Sequence, residues 1–205
     1  MRYATAVRRL RTVADSCTRA LVLPTEPPLV AVYVFGPVLD DPGNDVEVVQ
    51  VAFALDMPAA QLPWGVEPPA CAALAERLGV TKAPVHRVWR SADRHIANHV
   101  IRRPLRIWSV AGSDETALDA LAHQQAEPLR ADDPDPAQAH AQRASERGES
   151  LAHLREIRDR YQDPDWQRRH RSAGQPPEIY LWSALDGFLE LEDATTPRTT
   201  GIKTG

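Results

Sequence analysis

The stretch Leu29–Asp56, LVAVYVFGPVLDDPGNDVEVVQVAFALD, holds two long apolar runs separated by one turn-rich break. Leu29–Phe35 is unbroken apolar sequence that ends at Gly36, the pattern of a strand covered on both faces. Val46–Leu55 is again β-branched and apolar, and the PGND segment between the two runs has the chemistry of a tight turn. Strands of this kind must be covered on both sides, which makes the pair the organising unit of an α/β domain. Asp45 and Glu47 are expected to open the second strand. Side chains two apart in a strand project from one face, so the two carboxylates form a pair.

The flanking sequence supplies the helices. From Tyr3 to Leu21, the residues Val7, Leu10, Val13 or Ala14, Cys17 and Leu21 recur at three- and four-residue spacing, the stripe of an amphipathic helix. Pro24, Pro27 and Pro28 end it and lead into the first strand. Beyond the strand pair, MPAAQLPWGVEPP is too rich in proline for regular structure, and Trp64 within it is expected to plug the core, with ligand stacking as the alternative. A short helix follows, Ala70–Leu78, opened by Pro68 and Pro69 and closed by Gly79. The segment from Pro84 to Val110 returns to β character in VHRVWRS, HVI and PLRIWSV. Ser113 or Asp114 can cap a helix running to His123.

The clearest boundary is ADDPDP, Ala131–Pro136, where Asp135 can cap and Pro136 can open a long helix to about Tyr161. Its apolar seam is Ala144, Leu151, Leu154 and Ile157. Pro164 ends it, Arg168–Arg171 reads as a solvated turn, and Pro176–Pro177 start a last helix to about Asp193. Ile179, Trp182, Leu185, Phe188 and Leu189 form its stripe. The expected organisation is therefore an α/β domain over residues 1–130, a helical hairpin packed on it over 131–194, and a flexible tail over 195–205.

Composition narrows the functional classes. A net charge of -4 across 205 residues gives no global pull toward nucleic acid or membrane. There is no apolar run long enough to span a bilayer, and arginines interrupt the N-terminal segment where a signal peptide needs its apolar centre. Cys17 and Cys71 are distant and lack metal spacing, which fits a reducing, cytoplasmic setting. Arginine outnumbers lysine by 22 to 2, which together with the abundant alanine and proline suggests a GC-rich bacterial genome. Locally, Lys82, Arg87, Arg90, Arg94, Arg102, Arg103 and Arg106 face only Asp93 in the sequence. Two readings stay open for them: a clamp for phosphates or a nucleic-acid backbone, or pairing with acidic groups of the same domain. His95 and His99, four apart, read as surface or hydrogen-bonded histidines, since no metal signature accompanies them.

The order helix, buried strand ending in Phe-Gly, turn, strand with Asp-x-Glu, helix and further strands resembles the nucleotidyltransferase fold of the minimal and toxin-type nucleotidyltransferases. Val34-Phe35-Gly36 would match the strand end and Asp45–Val49, DVEVV, the acidic strand, over about Tyr3 to Val110. The chain also resembles an uncharacterised actinobacterial family with an FG…D-hydrophobic-D/E…Pro-Trp pattern. The first resemblance implies a small mixed sheet with flanking helices. It further implies Asp45 and Glu47 as catalytic metal ligands, Mg²⁺ as the cofactor they hold, and Gly36 as a contact to a nucleotide's phosphates. Three departures from that pattern are visible in the residues. Pro37 stands where a hydroxyl and a backbone donor belong, the turn from Gly36 to Asp45 is short, and the later strand PLRIWSV offers no third carboxylate. The expectation is a divergent, non-catalytic domain of this type, against Mg²⁺-dependent nucleotidyl transfer to RNA, protein or a small molecule. Another alternative is a module that binds a partner or a second copy through the C-terminal helices, and a nucleic-acid binder is the remaining one.

Overall fold

In the computed structural model, residues 1–21, 28–82 and 84–195 are described. They form a five-stranded mixed sheet with helices on both faces. Its strands are β1 (Leu29–Phe35), β2 (Val49–Leu55), β3 (Val85–Ser91), β4 (Leu105–Ser109) and the two-residue β5 (Gly112–Ser113). The spatial order is β3-β2-β1-β4-β5. β1 lies antiparallel to β2, with Val32 opposite Phe53 and Val34 opposite Val51, and antiparallel to β4 on its other side. β3 runs parallel to β2, with Phe53 opposite Trp89. β1 keeps the bounds its apolar run predicts. β2 does not: it begins at Val49, so Asp45 and Glu47 lie in the preceding loop rather than at the strand's opening. The HVI segment is also not a strand, and residues 92–104 cross from β3 to β4 without regular structure.

Two-residue alternation divides the strands between two layers. Val32, Val34, Val51, Phe53, Leu55, Val85, Trp89 and Ile107 belong to a large apolar cluster that also takes in residues of the three helices on that side. These helices are α1 (Tyr3–Ala20), α3 (Pro69–Arg77) and α4 (Glu115–Ala122). α1 buries Val7, Leu10, Val13, Ala14 and Cys17, the stripe its spacing predicts, whereas Leu21 is exposed. The Tyr3 hydroxyl donates to Leu121 O at 2.7 Å and ties α1 to α4. α2 is one short turn, Pro37–Asp40, after Gly36.

On the opposite face, Phe35, Ala52 and Val88 pack with Trp64, Ile101 and Leu191. That layer is built by the 92–104 segment, α5 (Pro136–Arg160), α6 (Pro164–Ser172) and α7 (Pro177–Thr195). Asp135 caps α5 by accepting from Gln138 N at 2.8 Å, as the proline-rich boundary predicts. α6 corrects the reading of Arg168–Arg171 as a solvated turn: Pro164 opens a new helix, Asp163 caps it, and His170 is buried within it. α7 docks on the α/β part through Gly187, where a Cβ would stand 2.2 Å from Trp64 O. Only glycine lets the helix backbone come that close to the loop. Of the expected tail, 195–205, Thr195 ends α7 and residues 196–205 lie outside the described residues.

Candidate functional site

The first candidate is the end of β1. Gly36 has φ 72° and ψ -150°, a conformation that favours glycine, and a Cβ there would meet Gln50 Oε1 at 2.1 Å. The backbone conformation by itself accounts for the glycine, since the Gln50 amide is the end of a flexible side chain that can move aside. The turn that follows is held by Arg130, whose side chain is only 7% exposed. It donates to Arg103 O at 2.6 Å, to Leu39 O at 3.4 Å and to Asp40 Oδ1 at 2.7 Å, all within the chain.

Asp45 and Glu47 are both exposed and bracket the buried Val46. Val46 is held in place by Met1: its N–H donates to Met1 O at 2.9 Å, and the Met1 ammonium donates to Val46 O. The two carboxylates are exposed to solvent on a loop. Among the described residues no group of three or more His, Cys, Asp or Glu is placed to hold a metal ion. Two exposed carboxylates without a third acidic group beside them do not match the donor set that the resemblance implies for Mg²⁺.

The basic segment finds its partners in the same chain. Arg87 pairs with Glu67 at 2.5 Å, Arg94 with Glu149 at 2.6 Å and Arg102 with Asp133 at 2.6 Å, while Arg103 pairs with Glu127. Arg106 lies 3.8 Å from Asp114. Arg87, Arg103 and Arg106 thus pair within residues 1–130, as the second reading has it, whereas Arg94 and Arg102 take their partners from residues 131–194. No helix among the described residues is long and apolar enough to cross a membrane.

The structure adds a buried polar layer that pattern reading misses. Of its apolar seam α5 fully buries Ile157 alone, and in line with it turns inward a polar face, Arg143, Glu146, Ser150 and His153. Glu146 and Ser150 are buried; Ala144 is exposed and Leu151 and Leu154 are half-buried. Arg90 of β3 donates to Glu146 Oε1 at 2.7 Å with both side chains almost fully enclosed, 3% and 2% exposed. Burial pushes the Arg90 pKa down, and Glu146 opposes that shift. Gln142 joins by donating to Glu146 Oε1 at 3.1 Å and to Ala97 O at 2.9 Å. Trp64 stands at the layer's edge. Its indole N–H donates to Glu190 at 2.7 Å, its ring meets the His99 ring edge-on at 5.0 Å, and the Arg90 guanidinium lies 5.6 Å above it. It is the core plug expected of it, 5% exposed. Burial pushes His99 below its usual pKa, which favours the neutral ring. A cavity of about 190 Å³ opens beside His99, between the 97–102 segment and α5. The spacing of 143, 146, 150, 153 and 157 was the available signal, a helical face written in polar residues.

The last feature is α7 itself. Pro177, Tyr180, Ala184, Gly187 and Leu191 form its buried side. The stripe read from the sequence lies largely elsewhere: Ile179, Trp182 and Leu189 are 61%, 69% and 49% exposed, and Leu185 and Phe188 are half-buried. A helix apolar on both sides is ordinarily buried on both.

A mixed five-stranded sheet with helices on both faces and a C-terminal helical layer defines a small α/β protein. The chain belongs to the family DUF7711, a domain of unknown function, whose profile matches residues 1–197. No curated protein and no solved structure matches it.

Proposed function

We propose that this chain uses a nucleotidyltransferase-like scaffold for binding rather than for nucleotidyl transfer, and that its binding face is the outer side of α7. The observation that carries this reading is the second apolar face of α7, centred on Trp182. Large apolar side chains left exposed together on one helix face mark interaction sites more often than free surface. The scaffold half of the reading is supported by the order α1-β1-α2-β2-α3-β3, with Gly36 at the strand end and the acidic pair just before β2. The non-catalytic half is supported by the exposed, loop-borne Asp45 and Glu47, with no group of three or more His, Cys, Asp or Glu placed to hold a metal among the described residues.

The test is calorimetric titration of each nucleoside triphosphate with Mg²⁺ into the wild-type chain and into Asp45→Ala and Glu47→Ala. The expected result is no Mg²⁺-dependent binding that the substitutions remove. Binding lost in both variants would favour the transferase reading, with the acidic pair as ligands of the metal.

A further inference from the structure

Of the five acidic residues of α7, Glu192 pairs with Arg147, Glu178 lies 3.9 Å from Arg171 and Glu190 accepts from the Trp64 indole at 2.7 Å, while Asp186 and Asp193 are exposed. Beside it runs a trough made of two cavities of about 650 and 840 Å³, which share Glu67, Arg87 and Ser183. Asp186, Glu190 and Asp193 line its α7 wall together with Leu189, and Glu76 lies on the α3 side. Of the basic groups there, Arg87 is neutralised by Glu67 at 2.5 Å. Asp186 and Asp193, each one turn on from Trp182 and Leu189, thus give the apolar stripe Ile179, Trp182, Leu189 a short acidic margin.

That margin selects among occupants. A symmetric contact between the α7 helices of two copies would set acid against acid, and like charges juxtaposed at an interface cost several kcal/mol. Nucleic acid and anionic lipid surfaces are repelled for the same reason. The spacing of the stripe suits a helix laid against it, which recognises its target through anchors at three- and four-residue intervals. Ile179 and Leu189 are about 15 Å apart along the axis at 1.5 Å per residue, a length that a helix of about three turns covers. We propose that the outer face of α7 and its adjoining trough dock an amphipathic helix of a partner protein, one whose apolar stripe is flanked by lysine or arginine. The inference rests on the reading of α7 as the binding face and adds the chemistry of its partner. Trp182 is the central anchor, and Asp186 and Asp193 set the charge preference.

A labelled synthetic helix with leucines at that spacing and lysines elsewhere tests it by fluorescence anisotropy against the full chain. The controls are the same peptide with glutamates for lysines and a scrambled lysine peptide of identical composition. The basic amphipathic peptide should bind saturably and the glutamate peptide should not. Trp182→Ser and Asp186→Lys/Asp193→Lys should each weaken binding about tenfold or more, roughly 1.4 kcal/mol. These side chains are exposed, so circular dichroism should match wild type. Equal binding of the scrambled peptide, no binding of the basic one, or indifference to Trp182→Ser overturns the proposal. Light scattering separates it from the reading it rests on. A dimer that Trp182→Ser dissolves keeps α7 as the binding face and overturns the basic partner.

Discussion

On one face of the sheet, α1, α3 and α4 meet the strands through side chains such as Leu10, Cys17, Leu74 and Leu118, all nearly or fully enclosed. On the other, α5 brings Glu146, Ser150 and the half-buried Arg143 and His153 toward the layer between it and the sheet. The apolar side is held by burial that tolerates conservative repacking. The polar side depends on pairings that are costly to leave incomplete, because a buried charge that loses its partner is not resolvated. Evolution can keep such a layer for specificity or for a site as readily as for stability. The difference locates the unusual chemistry of this chain in the layer between α5 and the sheet, away from the loop that carries Asp45 and Glu47.

Removing one partner of the buried pair gives the largest expected effect. Glu146→Ala should destabilise by about 3–5 kcal/mol, read as a shift in the urea midpoint, because Arg90 is then left charged and enclosed. The double replacement Arg90→Met/Glu146→Leu should restore most of that loss. A double variant as unstable as the single would show that the pair itself, and not the orphaned charge, holds the layer together. Phe53→Ala on the apolar face should cost about 3–5 kcal/mol through lost burial and the cavity left behind, with no partner able to rescue it. Rescue on one face and none on the other is the signature of the two kinds of cover.

Gly187→Ala comes next, at about 1–3 kcal/mol if the helix shifts to relieve overpacking. Its methyl would meet Trp64 O at 2.2 Å, so α7 must move off the loop. The change should quench or shift Trp64 fluorescence relative to the other tryptophans while leaving the α1 side intact, as amide exchange would report. Unaltered exchange in α7 would show that the close approach is not what seats it.

The apolar face was legible from the sequence because each element carries its own signal: β1 an unbroken apolar run, β3 the β character of VHRVWRS, and α1 a stripe at three- and four-residue spacing. The strand opening at Asp45 was misplaced because apolar residues continue through Val46 and Val48 while Met1, a partner remote in sequence, captures Val46 outside the sheet. The polar layer was illegible for a related reason. Arg90 reads as one more surface arginine until a helix some fifty residues later supplies Glu146. α7 failed differently: its sequence is apolar on both sides, and composition cannot say which side the sheet receives. The Gly187 position decides that, through contact with Trp64.

Acid should act on the polar side alone. His170 lies with its ring 4.3 Å from Tyr180 and 4.1 Å from Trp166, and His153 lies 5.6 Å from Tyr180. Burial lowers both histidine pKa values below 6.5, with Arg160, Arg169 and His153 adding to the shift at His170 and Glu156 opposing it at His153. The unfolded chain therefore binds more protons than the folded one, and stability rises with pH across this window. Their contribution is fully present above pH 6.5 and is lost as pH falls through the lowered folded values. Protection of α6 and α7 amides should decline from pH 7 to 5 before that of β1 and α1, and His170→Gln should flatten the decline. A parallel loss in all elements would assign the acid response to another group.

The smallest expected effect compares two helix caps of the same chemistry. Asp114 Oδ1 accepts from Ala117 N at 3.0 Å at the start of α4, and Asp135 Oδ1 accepts from Gln138 N at 2.8 Å at the start of α5. Each replaced by alanine loses about 1 kcal/mol of helix stability. α4 buries Ala117 and Leu118 within its first turn, so its cap is coupled to the apolar core and Asp114→Ala should lower the global midpoint by the full amount. The first residues of α5, Pro136–Gln138, are exposed and can fray without unpacking the Arg90–Glu146 pair two turns further on. Asp135→Ala should therefore speed exchange of the first α5 amides and barely move the midpoint. Equal midpoint shifts would mean that α5 folds as one unit with the sheet from its first turn, and the polar layer would then be as cooperative as the apolar one.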